Sequence, residues 1–153
     1  MRIAQVYKNG RIRSKVKVSS NFATASVGSD TSNTAYWFSQ TEQVIGKDIS
    51  YVSSTVNGDQ FIINTPGFYS FYGSIGATTV GIIGVSVDGT ASRTITQQSI
   101  SNVLVFNILG TANEARSVAG VVYLNQGQIV RAHSAASNVG TNNFINFCIE
   151  RVG

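Results

Sequence analysis

Few residues of the types that carry enzyme chemistry occur in this chain. Its 153 residues include one histidine, His133, and one cysteine, Cys148. A nucleophilic triad would have to use His133, yet the chain has no G-x-S-x-G turn leading into a helix. His133 is therefore predicted to be a structural residue at a strand end or an interface, and Cys148, in an apolar run, to be inert core.

Metal and cofactor sites are equally poorly supplied. One histidine and one cysteine are too few for structural zinc, and the scattered acids form no D-x-D-x-D calcium loop. Paired carboxylates for glycoside hydrolysis are disfavoured, because Glu150 stands beside Arg151 in a terminal strand. Gly81-Ile82-Ile83-Gly84 lacks the spacing of a phosphate-binding loop. We predict no enzymatic activity, no catalytic residue, no metal site and no cofactor.

Basic residues near the N-terminus are the strongest chemical signal. Residues 1–17 hold six bases and no acid, a charge of +6, whereas residues 18–153 hold five bases and seven acids, a charge of −2. Such an asymmetry indicates an interaction segment. The predicted residues for binding an anionic partner are Arg2, Lys8, Arg11, Arg13, Lys15 and Lys17. The alternative is a solvated face on which these bases prevent edge-to-edge aggregation.

The basic segment is predicted to form a β-hairpin. Asn9-Gly10 between two alternating runs favours a type I′ turn. The predicted pairs are Lys8 with Arg11, Tyr7 with Ile12, and Ile3 with Val16. Tyr7, the one aromatic residue nearby, falls on the face away from the bases, which disfavours nucleic acid as the partner. Residues 19–34 are small and polar, and are interpreted as a linker or a loosely held strand.

The remaining chain is predicted to consist of short β-strands. Runs such as AYWFS, QFIIN, FYSFY and SRTITQ are rich in β-forming residues, and turn signals at Asn57-Gly58, Pro66-Gly67 and Asp88-Gly89 separate many of them. Only 12% of residues are charged, which excludes a coiled coil, and no run of about 18 apolar residues indicates a membrane-spanning helix. We predict an all-β antiparallel sandwich over residues 34–153, with a basic arm and linker over residues 1–33.

A specific resemblance begins around Pro66. The run FIINTPGFYSF, residues 61–71, resembles the signature of the complement-type globular head within the tumour-necrosis-factor-like jelly rolls. VYLNQGQIV, residues 122–130, is similar to a later hairpin of that family, and FINFCI, residues 144–149, to its terminal strand. Asn146 and Gly73 depart from the family pattern. The resemblance implies a jelly roll that packs as a trimer, with aromatic and aliphatic side chains of one sheet around the axis.

The run FYSFY supports the trimer independently. Alternation places Phe68 and Tyr72 on one face and Tyr69 and Phe71 on the other, so both faces are apolar. One sandwich buries only one face, so the other meets a neighbouring subunit or is covered by the N-terminal hairpin. The residues assigned to the trimer interface or core are Phe61, Tyr69, Phe71, Tyr123, Phe144 and Phe147.

The resemblance also suggests a function. The signal peptide, collagen stalk and cysteine pattern of secreted members are missing, which favours the form of this jelly roll used in bacteriophage structural proteins. We predict a trimeric capsid decoration (cement) protein, made in the host cytoplasm and placed on the outer capsid surface. Its basic arm would bind the major capsid protein, with no membrane partner.

The alternative is a receptor- or glycan-binding knob of a phage tail fibre or head fibre. Tyr36 and Trp37 would be its candidate ligand platform, since sugar sites often use aromatic side chains. The competing interpretation is that AYWFS is a core or interface strand, because large aromatic residues are mostly buried.

Overall fold

The computed structural model describes residues 7–8, 11–20, 25–29, 33–136, 140–141 and 145–153. Within these ranges the chain forms strands and two 3-10 turns, at Ile95–Gln97 and Ile100–Asn102, and no α-helix. No helix there is long and apolar enough to cross a membrane. The strands are β1 (Tyr7–Lys8), β2 (Arg11–Ile12), β3 (Lys15–Ser20), β4 (Ala25–Val27), β5 (Tyr36–Trp37), β6 (Gln40–Ile45), β7 (Ile49–Val52), β8 (Gln60–Ile63), β9 (Gly67–Ala77), β10 (Gly81–Val87), β11 (Val103–Leu109), β12 (Glu114–Leu124), β13 (Ile129–His133), β14 (Gly140–Thr141) and β15 (Ile145–Arg151).

Ten of the described strands form a sandwich of two antiparallel sheets, while β1-β2 and β14-β4-β5 form two smaller sheets. The first sheet has the order β12-β9-β15-β3-β6, and the second has the order β11-β10-β13-β8-β7. Their inner faces enclose an aromatic core, in which the ring of Phe147 lies 5.1 Å from that of Phe61 and 6.4 Å from that of Phe71. The predicted all-β antiparallel sandwich is confirmed.

Strand β9 shows how the alternating sequence builds this core. Tyr69 and Phe71 are buried, while Phe68 and Tyr72 point to the other side of the sheet and are exposed. Opposite Phe71 stands Gly120 of β12, where an added Cβ would lie 2.6 Å from the Phe71 ring. The ring therefore packs directly on glycine backbone, which a larger residue would prevent.

Strand β3 is an interior strand of the first sheet, which corrects the predicted hairpin. Val16 pairs with Ile149 of β15 on one side and with Val44 of β6 on the other, so its predicted pairing with Ile3 is wrong. The physical reason is burial: Val16 is completely enclosed in the core, which stabilises the fold by about 1.5–3 kcal/mol relative to an exposed position.

The tip of the predicted hairpin has the expected register. Tyr7 pairs with Ile12 and Lys8 pairs with Arg11 in the β1–β2 ladder. The Asn9-Gly10 turn between them lies outside the described residues. The chain thus forms a short hairpin, passes residues 13–14 and enters the sandwich as β3.

The described parts of residues 19–34 are packed against the domain. Strand β4 pairs with β5 and β14, and Val27 is buried. The Asn33 side chain donates to the carbonyl of Val56 at 3.1 Å, and Gly28 has no room for a Cβ, since Val56 O would lie 2.4 Å away. The described residues of this segment are therefore held in strands, the second of the two interpretations given for it, and β3 belongs to the first sheet of the sandwich.

One predicted strand is a turn in the structure, whereas the predicted turns are present. The run SRTITQ contains the 3-10 turn Ile95–Gln97 instead of a strand. That prediction is wrong because the Gln97 side chain accepts from the Thr94 amide at 3.0 Å, closing the turn locally. The turn signals are confirmed, with positive φ at Gly58 (73°) and Asp88 (52°).

Candidate interaction surface

Four side chains on the outer side of the first sheet form what we term the aromatic face: Phe68 and Tyr72 of β9, and Val121 and Tyr123 of β12. Their exposed fractions are 52% for Phe68 and Tyr123, 67% for Val121 and 41% for Tyr72. The strands pair with Tyr123 opposite Phe68 and Val121 opposite Ser70, so these groups are neighbours. They form a continuous apolar surface, as the two-sided pattern of FYSFY predicted.

Ion pairs border the aromatic face on the side of β3. The Lys15 ammonium donates to the Tyr72 hydroxyl at 3.3 Å and lies 3.7 Å from a carboxylate oxygen of Glu150. Burial lowers the pKa of Lys15, but the hydrogen bond to Tyr72 and the Glu150 charge outweigh it, and the pKa is raised. Lys17 pairs with Glu42 of β6. Both lysines of β3 thus have an acidic partner within the domain.

Cys148 lies under this border and is buried. It stands opposite Tyr72 on one side and Lys17 on the other. Burial raises the pKa of its thiol, so the thiolate needed for reactivity is suppressed. The position fits the inert role predicted for it.

The other basic residues that were predicted to bind an anionic partner precede β3 in the chain. Lys8 and Arg11 are directly opposite each other in the β1–β2 ladder, and Arg13 is half-buried just before β3. Arg2 lies outside the described residues. Among the described residues, Lys8 and Arg11 therefore lie in the β1–β2 pair and Lys15 and Lys17 lie in the first sheet, a distinction that alternation alone did not make.

Ser14 fixes the point where this segment joins the sandwich. Its hydroxyl donates to a carboxylate oxygen of Asp48 at 2.9 Å and accepts from the Asp48 amide at 2.8 Å. Arg151 lies 3.4 Å from the other carboxylate oxygen, and its amide donates to the Ser14 carbonyl. Burial raises the pKa of Asp48, but hydrogen bonds from Thr65 and Ser14 and the charge of Arg151 lower it by more. The pKa of Asp48 is therefore below its usual value.

Most residues assigned to the trimer interface or core lie in the core. Phe61, Tyr69, Phe71 and Phe147 are buried, and only Tyr123 is exposed on the aromatic face. Phe144 lies outside the described residues. Aromatic residue type alone does not distinguish a core position from an exposed position in this set.

The candidate ligand platform is divided in the same way. Tyr36 is buried in the core and its hydroxyl donates to the carbonyl of Gly76, so it cannot present an exposed ring. Trp37 is half-buried. The core interpretation of AYWFS therefore holds for Tyr36 and for Phe38, which is also buried.

A second exposed apolar group was missed from the sequence. Phe106 and Ile108 of β11 are exposed, and β11 runs beside β12, with the Asn107 side chain donating to the Ser117 carbonyl at 3.2 Å. The alternation in VFNIL was a usable signal, but it predicts only that one side of the strand is buried. The packing of the two sheets decides which side of β11 is buried and how much of its opposite side is exposed.

His133 is the last residue of β13 and is completely buried. Its Nε2 lies 2.7 Å from the Ser86 hydroxyl and its Nδ1 lies 3.1 Å from the Thr34 hydroxyl. Burial, with help from Arg131, lowers its pKa to about 3. A serine beside a histidine is the arrangement of a nucleophile and its base, but both are sealed from solvent and the third group is a hydroxyl. Across the described ranges, no cluster of three or more His, Cys, Asp or Glu residues could hold a metal ion.

Comparison with known proteins supports the fold. No family model and no curated protein sequence matches the chain. Murine APRIL is similar in structure, with a TM-score of 0.60 and 18% identity over 92% of this chain and 99% of that one. Pika GITRL gives 0.55 and 8%, covering 92% and 97%, and vertex protein P5 of phage PRD1 gives 0.52 and 12%, also covering 92% and 97%. The chain therefore has the tumour-necrosis-factor-like jelly-roll fold, as its resemblance to that family predicted.

Proposed function

We propose that this chain is a non-enzymatic structural protein of a virus particle, which forms trimers and decorates a capsid. The observation that carries the proposal is the aromatic face, because soluble monomers rarely leave a contiguous apolar patch of large side chains open to water. The structural similarity to a phage vertex protein supports the virion setting.

The aromatic face supplies the chemistry of self-association. Phe68, Val121 and Tyr123 are half or more exposed in the single chain. Each side chain of this size stabilises an interface by about 1.5–3 kcal/mol when fully buried. Three copies packed around an axis through this face would bury it, while the Lys15–Glu150 pair at its border would remain beside the contact.

The basic hairpin supplies the chemistry of attachment. Lys15 and Lys17 have acidic partners in the domain, so the charge offered to another protein comes from Arg2, Lys8, Arg11 and Arg13. Lys8 and Arg11 are paired positions in the β1–β2 ladder, and like charges at paired positions destabilise a strand pair. An acidic surface on the major capsid protein would relieve the repulsion. Three hairpins on one trimer would bind with avidity, because the second and third attachments are intramolecular.

The test combines oligomeric mass with capsid binding. Light scattering at micromolar concentration should give three times the chain mass, and the protein should bind undecorated capsids more weakly as salt rises. Reversing charge at Lys8, Arg11 and Arg13 together should weaken capsid binding at least tenfold and leave the trimer intact. Deleting residues 1–18 is a poorer test, because it removes most of β3.

Arg93→Glu is the matched control, since Arg93 is exposed and lies far along the chain from the hairpin. It should bind capsids like the unchanged protein. A monomeric mass would overturn the trimer, and equal capsid binding by the triple variant would overturn the anchor.

A receptor-binding knob is the second candidate, and one observation favours it. Ile100, in the loop between β10 and β11, is 92% exposed, as a contact residue at a loop tip would be. In that case the purified protein should adsorb to host cells and compete with phage, and Ile100→Ser should weaken both effects. A glycan ligand is less well supported, because Tyr36 is buried.

A further inference from the structure

Residues 88–102, between β10 and β11, lie over the outer side of the second sheet, and we term them the flap. Ile95 is buried against Gly84, where an added Cβ would lie 2.7 Å from the Ile95 side chain. Arg131 donates to the Gly89 carbonyl at 2.8 Å, which holds the start of the flap to β13. The flap is thus fastened by one apolar side chain and a few hydrogen bonds.

A hydrogen-bond network that includes His133 holds the middle of the flap. The Thr34 hydroxyl lies 2.6 Å from the Arg93 carbonyl of the flap and donates to it, while the Thr34 amide donates to the Ala91 carbonyl. Since its proton is used there, the hydroxyl accepts from Nδ1–H of His133. Nε2 then accepts from the Ser86 hydroxyl. In this network the ring is neutral, because burial disfavours its charged form.

No carboxylate among the described residues balances a charge on that ring. Arg131 faces it from β13, and its Nε is buried without a hydrogen-bond partner. Arg93 contributes its carbonyl from the flap. Asp88, at the flap base, accepts from the Ile129 amide at 2.8 Å and the Gln128 side chain at 2.9 Å. A proton on His133 would therefore place a second positive charge beside Arg131, away from water.

We propose that His133 is an acid-operated release for the flap: when the ring gains a proton from solvent, residues 88–102 lift away and uncover Ile95 and the outer side of β10 and β13. Lifting the flap hydrates the charged ring without breaking the aromatic core, which lies on the other side of β10 and β13. Local opening of a segment with few apolar contacts requires less free energy than global unfolding.

Hydrogen exchange measured by mass spectrometry tests the proposal on the full chain. The readout is the flap opening constant, corrected for the intrinsic pH dependence of exchange. It should rise about 30-fold between pH 7.5 and pH 5.0, because the pKa of His133 is about 3 when closed and near 6.5 when exposed. Peptides of β9 and β12 should show no such increase. The single histidine also gives one unambiguous ring signal in an NMR titration.

Two variants separate this release from general acid sensitivity. His133→Gln retains a donor and an acceptor but cannot gain a proton in this range, so its flap should open equally at both pH values. Arg131→Gln keeps a donor for Gly89 and removes the neighbouring charge, so its acid response should be reduced. Arg116→Gln, on the opposite sheet, is the matched control and should retain the full response.

An unchanged flap in the native protein, or the same acid response in His133→Gln, would overturn the proposal. If His133→Gln does not fold, the ring titration and the flap exchange of the native protein still test the proposal. Ring titration near pH 6.5 without a change in flap exchange would then refute the release. Trimer mass and capsid binding at neutral pH are separate readouts, so failure here leaves the proposed function standing.

Discussion

Phe68 and Tyr123 stand directly opposite each other on β9 and β12, with their rings edge to face and the centroids 5.3 Å apart, yet half of each side chain is exposed. The contact restricts both rings before any partner arrives. A surface ordered in advance loses less side-chain entropy on association. The pair is therefore suited to a permanent contact rather than to a solvated surface.

Val121→Glu should convert the proposed trimer into a monomer without unfolding the chain. Val121 is 67% exposed in the single chain, so glutamate there stays hydrated in the monomer, but it would be buried with its charge in the assembled face. The expected result is a threefold drop in mass by light scattering, with a circular dichroism spectrum unchanged in shape.

Val80→Glu provides the control for that substitution. Val80 is 61% exposed and lies between β9 and β10, away from the aromatic face. It should leave the mass at three chains. If Val121→Glu also remains trimeric, the aromatic face is not the contact.

Gly120→Ala should destabilise the fold by about 1–3 kcal/mol, as expected for overpacking a core. The new Cβ would lie 2.6 Å from the Phe71 ring, and that ring is confined by Phe147. Urea denaturation measures the loss. Gly110→Ala is the matched control, since its Cβ would meet only a Glu114 side-chain oxygen at 3.9 Å. Equal stabilities of the two variants would contradict the close packing.

The alternation of FYSFY was sufficient to place β9, because each strand face has a single dominant environment. The alternation of KVKV was not sufficient to place β3. It fits a hairpin with residues 2–8 as well as a sheet position between β15 and β6. The local Asn-Gly signal indicated the wrong partner for Val16, which pairs with Val44 and with Ile149, a residue more than a hundred positions away in the sequence.

The buried hydrogen-bond network around His133 could not be predicted from the sequence, also because it depends on distant segments. His133 meets Thr34 and Ser86, three residues from three separate segments with no fixed spacing. SRTITQ has strand composition, and although Gln97 closes its turn locally, the burial of Ile95 depends on the space above Gly84. Such features depend on which segments the fold brings together, and periodicity within one segment carries no information on that.

Asp59→Ala should cost about 3 kcal/mol, because it leaves buried donors without an acceptor. The buried carboxylate accepts from the Phe38 amide at 2.9 Å, the Ser54 amide at 3.0 Å and the Tyr51 hydroxyl. It thus ties β5 to the loop after β7. Tyr51→Phe removes one of these donors and should cost about 1 kcal/mol. Equal losses in the two variants, measured by urea denaturation, would show that the backbone contacts contribute little.

Asp48→Asn should destabilise the chain at neutral pH by about 1.5 kcal/mol, because charge-assisted hydrogen bonds are lost. The Ser14 hydroxyl donates to this carboxylate, and Arg151 lies beside it. The folded pKa of Asp48 is lowered from 3.8, so its stabilisation is present above that value and is lost as the pH falls through the lower folded value. The native protein and the variant should therefore differ at pH 7 and converge toward pH 2.

Urea denaturation at both pH values gives the comparison, and hydrogen exchange at residues 11–15 should be faster in the variant at pH 7. A stability difference that is the same at both pH values would show that the charge of Asp48 does not hold the hairpin to the sandwich.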